Sequence, residues 1–237
     1  MTVVGSDPSQ EPLDRRLALD DSILERYSRM ALEFDVRPVD HVLRAVDMVL
    51  AAVALLVLAP VLALCAAAVL ASGRPVLYRG DRVGRAGGIF RMYKFRTLRP
   101  GAEQRLGRRL GGELDQLTES EMTWIGRRLR AAKLDELPQL YNVLRGDMSL
   151  VGPRPIRPAF FLELCHEIPA YWQRLVVRPG ITGLAQLRLS RQMTWAEKLV
   201  HDLEYIADRS VGLYVAILGQ TLALVMSRLA RPKQPYV

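Results

Sequence analysis

The sequence is poor in the residues that build metal centres and covalent frameworks, with two cysteines and three histidines in 237 residues. Cys65 and Cys165 supply no disulfide framework. Cys65 lies in an apolar run, where a reduced, buried thiol is expected. His41, His166 and His201 show no metal-ligand spacing, so a histidine-based metal site is not expected. There is no internal repeat and no low-complexity tract. The N-terminus lacks the basic start and early apolar core of a signal peptide. Negative charge is also in short supply, with 25 acids against 33 bases and a net charge of +8.

What acid there is lies unevenly. Residues 1–36 hold eight acids and four bases, a local −4 that leaves +12 on the rest of the chain. A body this basic expects an anionic partner: nucleic acid, phospholipid or a phosphorylated substrate. The length suits one domain with an appendage and can bury a core. Residues 1–36 read as a polar arm, helical around Leu17–Phe34, residues 37–72 as a membrane helix, and residues 73–237 as one cytosolic domain.

The strongest physical signal is Met48–Ala71, "MVLAAVALLVLAPVLALCAAAVLA", which carries no charge. At helical rise its length is about 36 Å, enough for a hydrocarbon core of about 30 Å. Pro60 at its midpoint removes a backbone hydrogen bond and crowds the preceding turn. Arg37 and Arg44 precede the run, and Arg74, Arg79, Arg82 and Arg85 follow it. Both flanks therefore prefer the cytoplasmic side. A re-entrant helix bent at Pro60 satisfies both; a kinked helix that crosses is the alternative. Val211–Met226 is uncharged but short for a crossing and reads as a buried or interfacial helix.

In the cytosolic part, "PVLY" and "IFRMYKF" are strand-like and flank the Gly-rich turn Gly84–Gly88. Strand alternation puts Lys94 and Arg96 on one face. Pro100–Glu121 reads as a loop and Thr123–Arg130 as a helix with a cationic side. Then comes "KLDELPQLYNVLRGDMSLVGPRP", with two adjacent carboxylates, Asp135 and Glu136. Asp135 is a good N-cap for a helix carrying Leu137, Leu140, Tyr141 and Leu144 and ending at Gly146. Capping is the bland explanation of the pair.

The chemical explanation starts from geometry. Adjacent helical residues are about 100° apart, so the pair cannot flank a sugar from opposite sides as glycosidase carboxylates do. One carboxylate can attack while the other holds a metal or manages a proton. Phosphorus suits an attacking carboxylate, but the charges repel by roughly 4 kcal/mol at 4 Å and an effective dielectric near 20. Such a site needs cations: magnesium, and candidates among Lys94, Arg96, Arg130, Lys133, Arg154 and Arg178. Rigid "GPRP" and "RPGITG" turns presenting arginine suit phosphate.

Several ordered segments resemble the bacterial sugar transferases, the monotopic polyprenyl-phosphate phosphoglycosyl transferases. They are the proline-centred apolar helix, "RVGRAGGIFRMYKFRTL", "WIGRRLRAAKLDELPQLYNVLRGDMSLVGPRP", "RPGITGLAQ" and "DLEYIADRS". The resemblance runs from about Arg44 to Val225. It implies a mixed α/β, mostly helical, monotopic membrane protein: a re-entrant N-terminal helix broken at Pro60, and a compact cytosolic catalytic domain with a small β element and interfacial helices. It implies that Asp135 attacks the sugar-linked phosphate of a nucleotide-sugar, usually a UDP-sugar, releasing UMP, and that the phosphosugar then passes to a polyprenyl phosphate. Glu136 would position or deprotonate the lipid phosphate. Magnesium would bind near Asp135. Lys94, Arg96, Arg130, Pro153, Arg154 and Pro155 fall on phosphate and nucleotide contacts. The implied partners are the nucleotide-sugar donor, the polyprenyl phosphate acceptor and membrane phospholipid, without nucleic acid; a homodimer stays open. The implied location is the bacterial inner membrane, with the catalytic domain on the cytoplasmic face. The extra multi-span N-terminal region of some members is absent from the expected layout.

The chain departs from the family pattern in places. Ala59 stands where serine often precedes the central proline. Gly80, Asp81 and Arg82 replace a Gln-Glu-Arg run, Lys133 replaces a polar residue, and Tyr214 and Ala216 replace an acid and a lysine. Two rival readings are a non-catalytic membrane scaffold and a glycosyltransferase that releases UDP.

Overall fold

The computed structural model describes residues 13–102, 118–188 and 193–230. Most of the expected loop Pro100–Glu121 lies outside them. The described chain is mainly helical with two small sheets. It begins with helix α1 (Leu13–Leu32), which falls within the acidic arm. α1 does not stand off from the domain: Ala31 is buried, and Ile23, Leu24, Tyr27 and Met30 pack on the core around Phe161, Tyr171 and Trp172.

Helix α2 (Pro38–Val57) and helix α3 (Ala59–Ala71) follow, bent by 64° at a short break. The hinge sits at Leu58, two residues before Pro60. Proline acts upstream: it has no N–H to give and its ring crowds the carbonyl one turn earlier, while it fits the first turn of the next helix. No single helix among the described residues is long and apolar enough to cross a membrane; α2 and α3 reach that length only together. With Ala at 59, the bend is held by packing on both arms. Ala51, Ala54 and Leu55 join one core cluster, and Val61, Leu62, Cys65 and Val69 join another. The outward side stays apolar and bare, with Val49, Leu56, Val57 and Leu64 between 62% and 79% exposed.

Strand β1 (Leu77–Val83) pairs antiparallel with β2 (Ile89–Phe95), in register from Leu77 opposite Phe95 to Val83 opposite Ile89. Both faces of β2 carry buried residues, while Ile89 and Arg91 stay exposed. Phe90 and Met92 pack with Leu140 and Val143, whereas Phe95 packs with α3 and Leu129. The Gly-rich turn between the strands is a short 3-10 segment, Arg85–Gly87, with Ala86 in the left-handed region. Helix α4 (Trp124–Ala131) is capped by Thr123, whose hydroxyl accepts from the Gly126 N–H at 2.9 Å. The dyad turn comes next, then helix α5 (Gln139–Arg145), which ends at left-handed Gly146.

Strand β3 (Ser149–Val151), helix α6 (Pro158–Glu167), a 3-10 stretch Pro169–Val176, strand β4 (Gly180–Thr182) and helix α7 (Leu184–Arg188) complete the centre. β3 and β4 run parallel, Ser149 opposite Gly180 and Val151 opposite Thr182. Here the "GPRP" and "RPGITG" segments lie backbone to backbone. A Cβ on Gly180 would come within 2.0 Å of the Gly152 nitrogen, so only glycine permits the contact. Helix α8 (Trp195–Asp208) starts with a Thr194–Glu197 capping box, and helix α9 (Val211–Ala230) closes the described chain. α9 is part buried, as its sequence suggests: Tyr214 and Ile217 face the core, and Val215, Leu222 and Met226 are exposed.

Candidate active site

The dyad does not cap a helix. Lys133 takes a left-handed backbone (φ 59°), which turns the chain sharply after α4. Leu134–Glu136 then form one 3-10 turn, and α5 starts only at Gln139. A left-handed lysine costs about 1 kcal/mol or more, and such strain gathers at functional turns. Asp135 is 6% exposed. Among the described residues no group donates a hydrogen bond to it, and its Oδ1 is shut off from solvent. An orphaned buried carboxylate oxygen costs free energy unless a ligand, ion or water meets it.

Glu136 is the opposite case. Lys94 Nζ donates to its Oε1 at 3.0 Å, and Arg154 Nη2 lies 3.7 Å from the same oxygen. Burial works to raise its proton affinity, but Lys94, Arg154 and Lys133 overcome it and hold the carboxyl at about 2. For Asp135 burial wins. It raises the carboxyl above its ordinary value with help from Glu136, against Lys94, Lys133 and Arg130. Burial also draws Lys94 below the usual lysine range, opposed by Glu136. Two neighbouring acids thus carry proton affinities pushed apart by their surroundings, a pattern typical of divided chemical roles.

The side chain that sets this geometry is Asn142, fully buried on α5. Its Oδ1 accepts from the Tyr93 N–H at 3.0 Å, and its Nδ2 donates to the Arg91 carbonyl at 2.8 Å. The amide reads β2 as a neighbouring strand would. It fixes the register of β2 against the dyad turn, and so brings Lys94 to Glu136. Asn142 is missing from the candidates the sequence suggests: helical spacing puts it well off the expected stripe of Leu137, Leu140, Tyr141 and Leu144, on a side that reads as solvent-facing. Tyr141, expected in that stripe, is 52% exposed and sits edge-on to Tyr93.

Of the other candidates, Arg130 is exposed near the dyad, with its Nη1 3.8 Å from Met122 Sδ. Pro153 and Arg154 line a small open pocket with Gly84, Arg174 and Pro179. Pro155 follows in the same rigid turn. Arg82, not among the sequence candidates, joins this side: burial lowers its proton affinity against Tyr78, and Arg157 and Arg154 press in the same direction.

Two candidate arginines lie elsewhere. Arg96 is 5% exposed and spends its guanidinium on the chain itself. Its Nε donates to the Pro75 carbonyl at 2.8 Å and its Nη1 to the Leu98 carbonyl at 2.7 Å. Its Nη2 reaches the Gly73 carbonyl at 2.7 Å and Ser72 Oγ at 3.1 Å. It ties the end of α3 to β2. The expected sharing of a face with Lys94 fails because β2 ends at Phe95, before Arg96. Arg96→Lys is expected to cost about 2–3 kcal/mol, since one ammonium cannot replace a fork that meets this many acceptors. A thermal melt checks it, and an unchanged midpoint would refute the clamp. Arg178 donates from Nε to the Gly146 carbonyl at 2.9 Å and lines a different cleft, with Arg44 and Arg85.

Magnesium fits the dyad's donor set. Asp135 offers an unpartnered carboxylate, and this ion commonly takes one or two carboxylates and completes its shell with phosphates and water.

The bacterial sugar transferase family model matches residues 39–228. A UDP-N-acetylgalactosamine-undecaprenyl-phosphate N-acetylgalactosaminephosphotransferase of Aeromonas hydrophila is 38% identical over 161 residues, covering 67% of this chain and 37% of that protein. A UDP-glucose:undecaprenyl-phosphate glucose-1-phosphate transferase of Caulobacter vibrioides is 39% identical over 168 residues, covering 68% of this chain and 60% of that protein. An uncharacterized sugar transferase of Bacillus subtilis, EpsL, is 36% identical over 165 residues, covering 68% of this chain and 75% of that protein. The matched part thus spans from about a third to three quarters of these relatives. With the family model covering most of its length, the chain belongs to the bacterial sugar transferase family.

Proposed function

We propose that this chain is a phosphoglycosyl transferase that moves a sugar phosphate from a UDP-sugar to a polyprenyl phosphate, with Asp135 as the covalent nucleophile. The observation that carries the reading is the buried, unpartnered Asp135 Oδ1 beside an ionised, fully anchored Glu136. Relatives named as undecaprenyl-phosphate sugar phosphotransferases support the acceptor and donor classes.

In the first step an Asp135 oxygen forms a bond to the sugar-linked phosphorus. The bond from that phosphorus to the bridging oxygen breaks, and UMP leaves with the electron pair. In the second step an oxygen of the polyprenyl phosphate attacks the same phosphorus and Asp135 is released. Burial of Asp135 raises its basicity and with it its nucleophilic strength. Lys94, Arg154 and Arg82 bring positive charge to a site where phosphates must approach a carboxylate. Glu136 acts by holding Lys94 and Arg154 in place. A carboxyl near 2 is a poor base for a phosphate whose second proton leaves near 6, so positioning is favoured over deprotonation. Bound magnesium would supply further neutralisation of the phosphate charge.

The membrane part of the reading is that α2 and α3 form a re-entrant hairpin, dipping into the bacterial inner membrane and leaving the catalytic domain on the cytoplasmic face. The bend and the exposed aliphatic side chains beyond Met48 support it, as does positive charge on both flanks. The test is nucleotide release by the detergent- or nanodisc-held protein supplied with magnesium, polyprenyl phosphate and a panel of UDP-sugars. UMP with one donor is the expected result. Release of UDP would mean sugar transfer without phosphate, and Asp135 would not be the nucleophile toward phosphorus.

A further inference from the structure

We infer that the cleft at the base of α2, lined by Arg44, Arg85, Arg178 and Arg209, is a second anion site that takes a phosphate group, apart from the dyad. The cleft is open to solvent and offers a cavity of about 40 Å³, and neither Asp135 nor Glu136 lines it. Four arginines face two carboxylates there, Asp40 and Asp47.

Both acids are already committed. Asp40 takes a two-pronged ion pair from Arg209, at 2.6 and 2.9 Å, and the Arg37 N–H at 2.9 Å. Asp47 Oδ1 accepts from the Leu150 N–H at 2.7 Å, Ser149 Oγ at 3.1 Å and Tyr214 Oη at 2.5 Å. Among the described residues Arg44 bonds only to the carbonyls of Val143 and Leu144, at 2.6 and 3.0 Å. Among the same residues Arg178 uses only Nε, on Gly146. Among the described residues the Arg85 guanidinium has no hydrogen-bond or ion-pair partner. Three arginines therefore line one cleft with no ion pair of their own among these residues, and Asp47, held by neutral donors, offsets only part of their charge. Burial lowers the proton affinity of Arg178, and Arg44 and Arg85 add to this by repulsion, against the opposing pull of Asp47 and Asp40.

Like charges crowd this way where an anion sits between them. The three arginines come from separate parts of the chain: α2, the turn between β1 and β2, and the segment leading into β4. Donors carried by three separate segments suit an anion with several oxygens better than a planar carboxylate. Arg44 stands one turn before the apolar run that opens at Met48. If α2 and α3 dip into the bilayer, as in the proposed membrane placement, the cleft opens at the depth of lipid phosphates. The crowding of charge stands without that placement. The phosphate is then carried by a lipid headgroup or is free in solution, and the experiment separates the two.

The full chain in neutral detergent micelles is titrated by calorimetry with inorganic phosphate, and separately with micelles doped with phosphatidic acid or with a fatty acid of matching chain length. Phosphatidic acid is expected to bind, and the fatty acid to bind at least about tenfold more weakly. Arg85→Ala, which breaks no side-chain hydrogen bond, is expected to weaken phosphatidic acid about tenfold. Arg154→Ala is expected to leave that affinity in place. Equal effects on inorganic phosphate would assign the site to a soluble phosphate. Wild-type affinity of Arg85→Ala for both phosphates would overturn the proposal, and so would equal binding of the fatty acid.

Discussion

Asp135→Asn is expected to abolish turnover, by at least about a thousandfold, while raising the thermal midpoint of the protein. The two effects share one cause. Asp135 is held in a dry, unpartnered place that raises its carboxyl above the ordinary 3.8. An acid raised on folding favours the folded state only while it is protonated. That contribution is full below 3.8 and is lost as pH rises through the folded value. At neutral pH the ionised side chain therefore costs stability. Removing its charge, and with it the repulsion from Glu136, should return about 1 kcal/mol, or roughly 2–4 °C in a chain this size. The gap between variant and wild type should widen from pH 4 to pH 7. Near-normal turnover would end the covalent mechanism; a pH-independent gap would rule out burial as the cause.

Glu136 runs the other way. Its carboxyl falls from 4.5 to about 2 on folding. Its contribution is present above 4.5 and lost as pH falls through about 2, and at roughly 1.4 kcal/mol per unit it is on the order of 3 kcal/mol. The adjacent acids thus pull stability in opposite directions across the acid range. Such opposition is expected where one group is kept reactive and its neighbour is kept still.

How far the sequence carries this site depends on which contacts are local. The dyad, Pro153 and Arg154 fall in one short segment, and strand alternation around Lys94 puts a cation on the buried face. What local pattern does not hold is the end of β2, which stops the alternation before Arg96 and frees that guanidinium to clamp α3. The hinge at Leu58 follows from the steric reach of Pro60 but not from its position. Asn142 on β2, and the parallel pairing of β3 with β4, are long-range contacts that no periodicity encodes. Arg178 illustrates the same limit: its turn reads as phosphate-binding, and only the fold reveals that it faces Arg44 and Arg85 rather than Asp135.

The pair Arg174–Asp202 yields the second large effect. Arg174 and Asp202 are 8% and 4% exposed. Arg174 Nε donates to Asp202 Oδ2 at 2.8 Å and Nη1 to Tyr171 Oη at 3.0 Å, while Nη2 donates to the Arg154 carbonyl at 2.9 Å. One guanidinium therefore joins α8 to the turn that carries Arg154. Burial raises the Asp202 carboxyl even against this partner, so the pair itself adds little to stability. Breaking it is another matter. Asp202→Ala leaves a buried guanidinium uncompensated and should cost about 3–5 kcal/mol, a fall on the order of 10 °C. The double variant Arg174→Met with Asp202→Leu removes both charges and should recover most of that loss. It also removes the donor to the Arg154 carbonyl. Its expected signature is a near-normal melt with KM for the nucleotide-sugar raised about tenfold and kcat little changed, because the turn that orients Arg154 is loosened while Asp135 is untouched. A double variant that regained both the melt and KM would reduce Arg174 to a packing residue. One that stayed unstable would show that the buried pair, despite its desolvation cost, holds the fold directly.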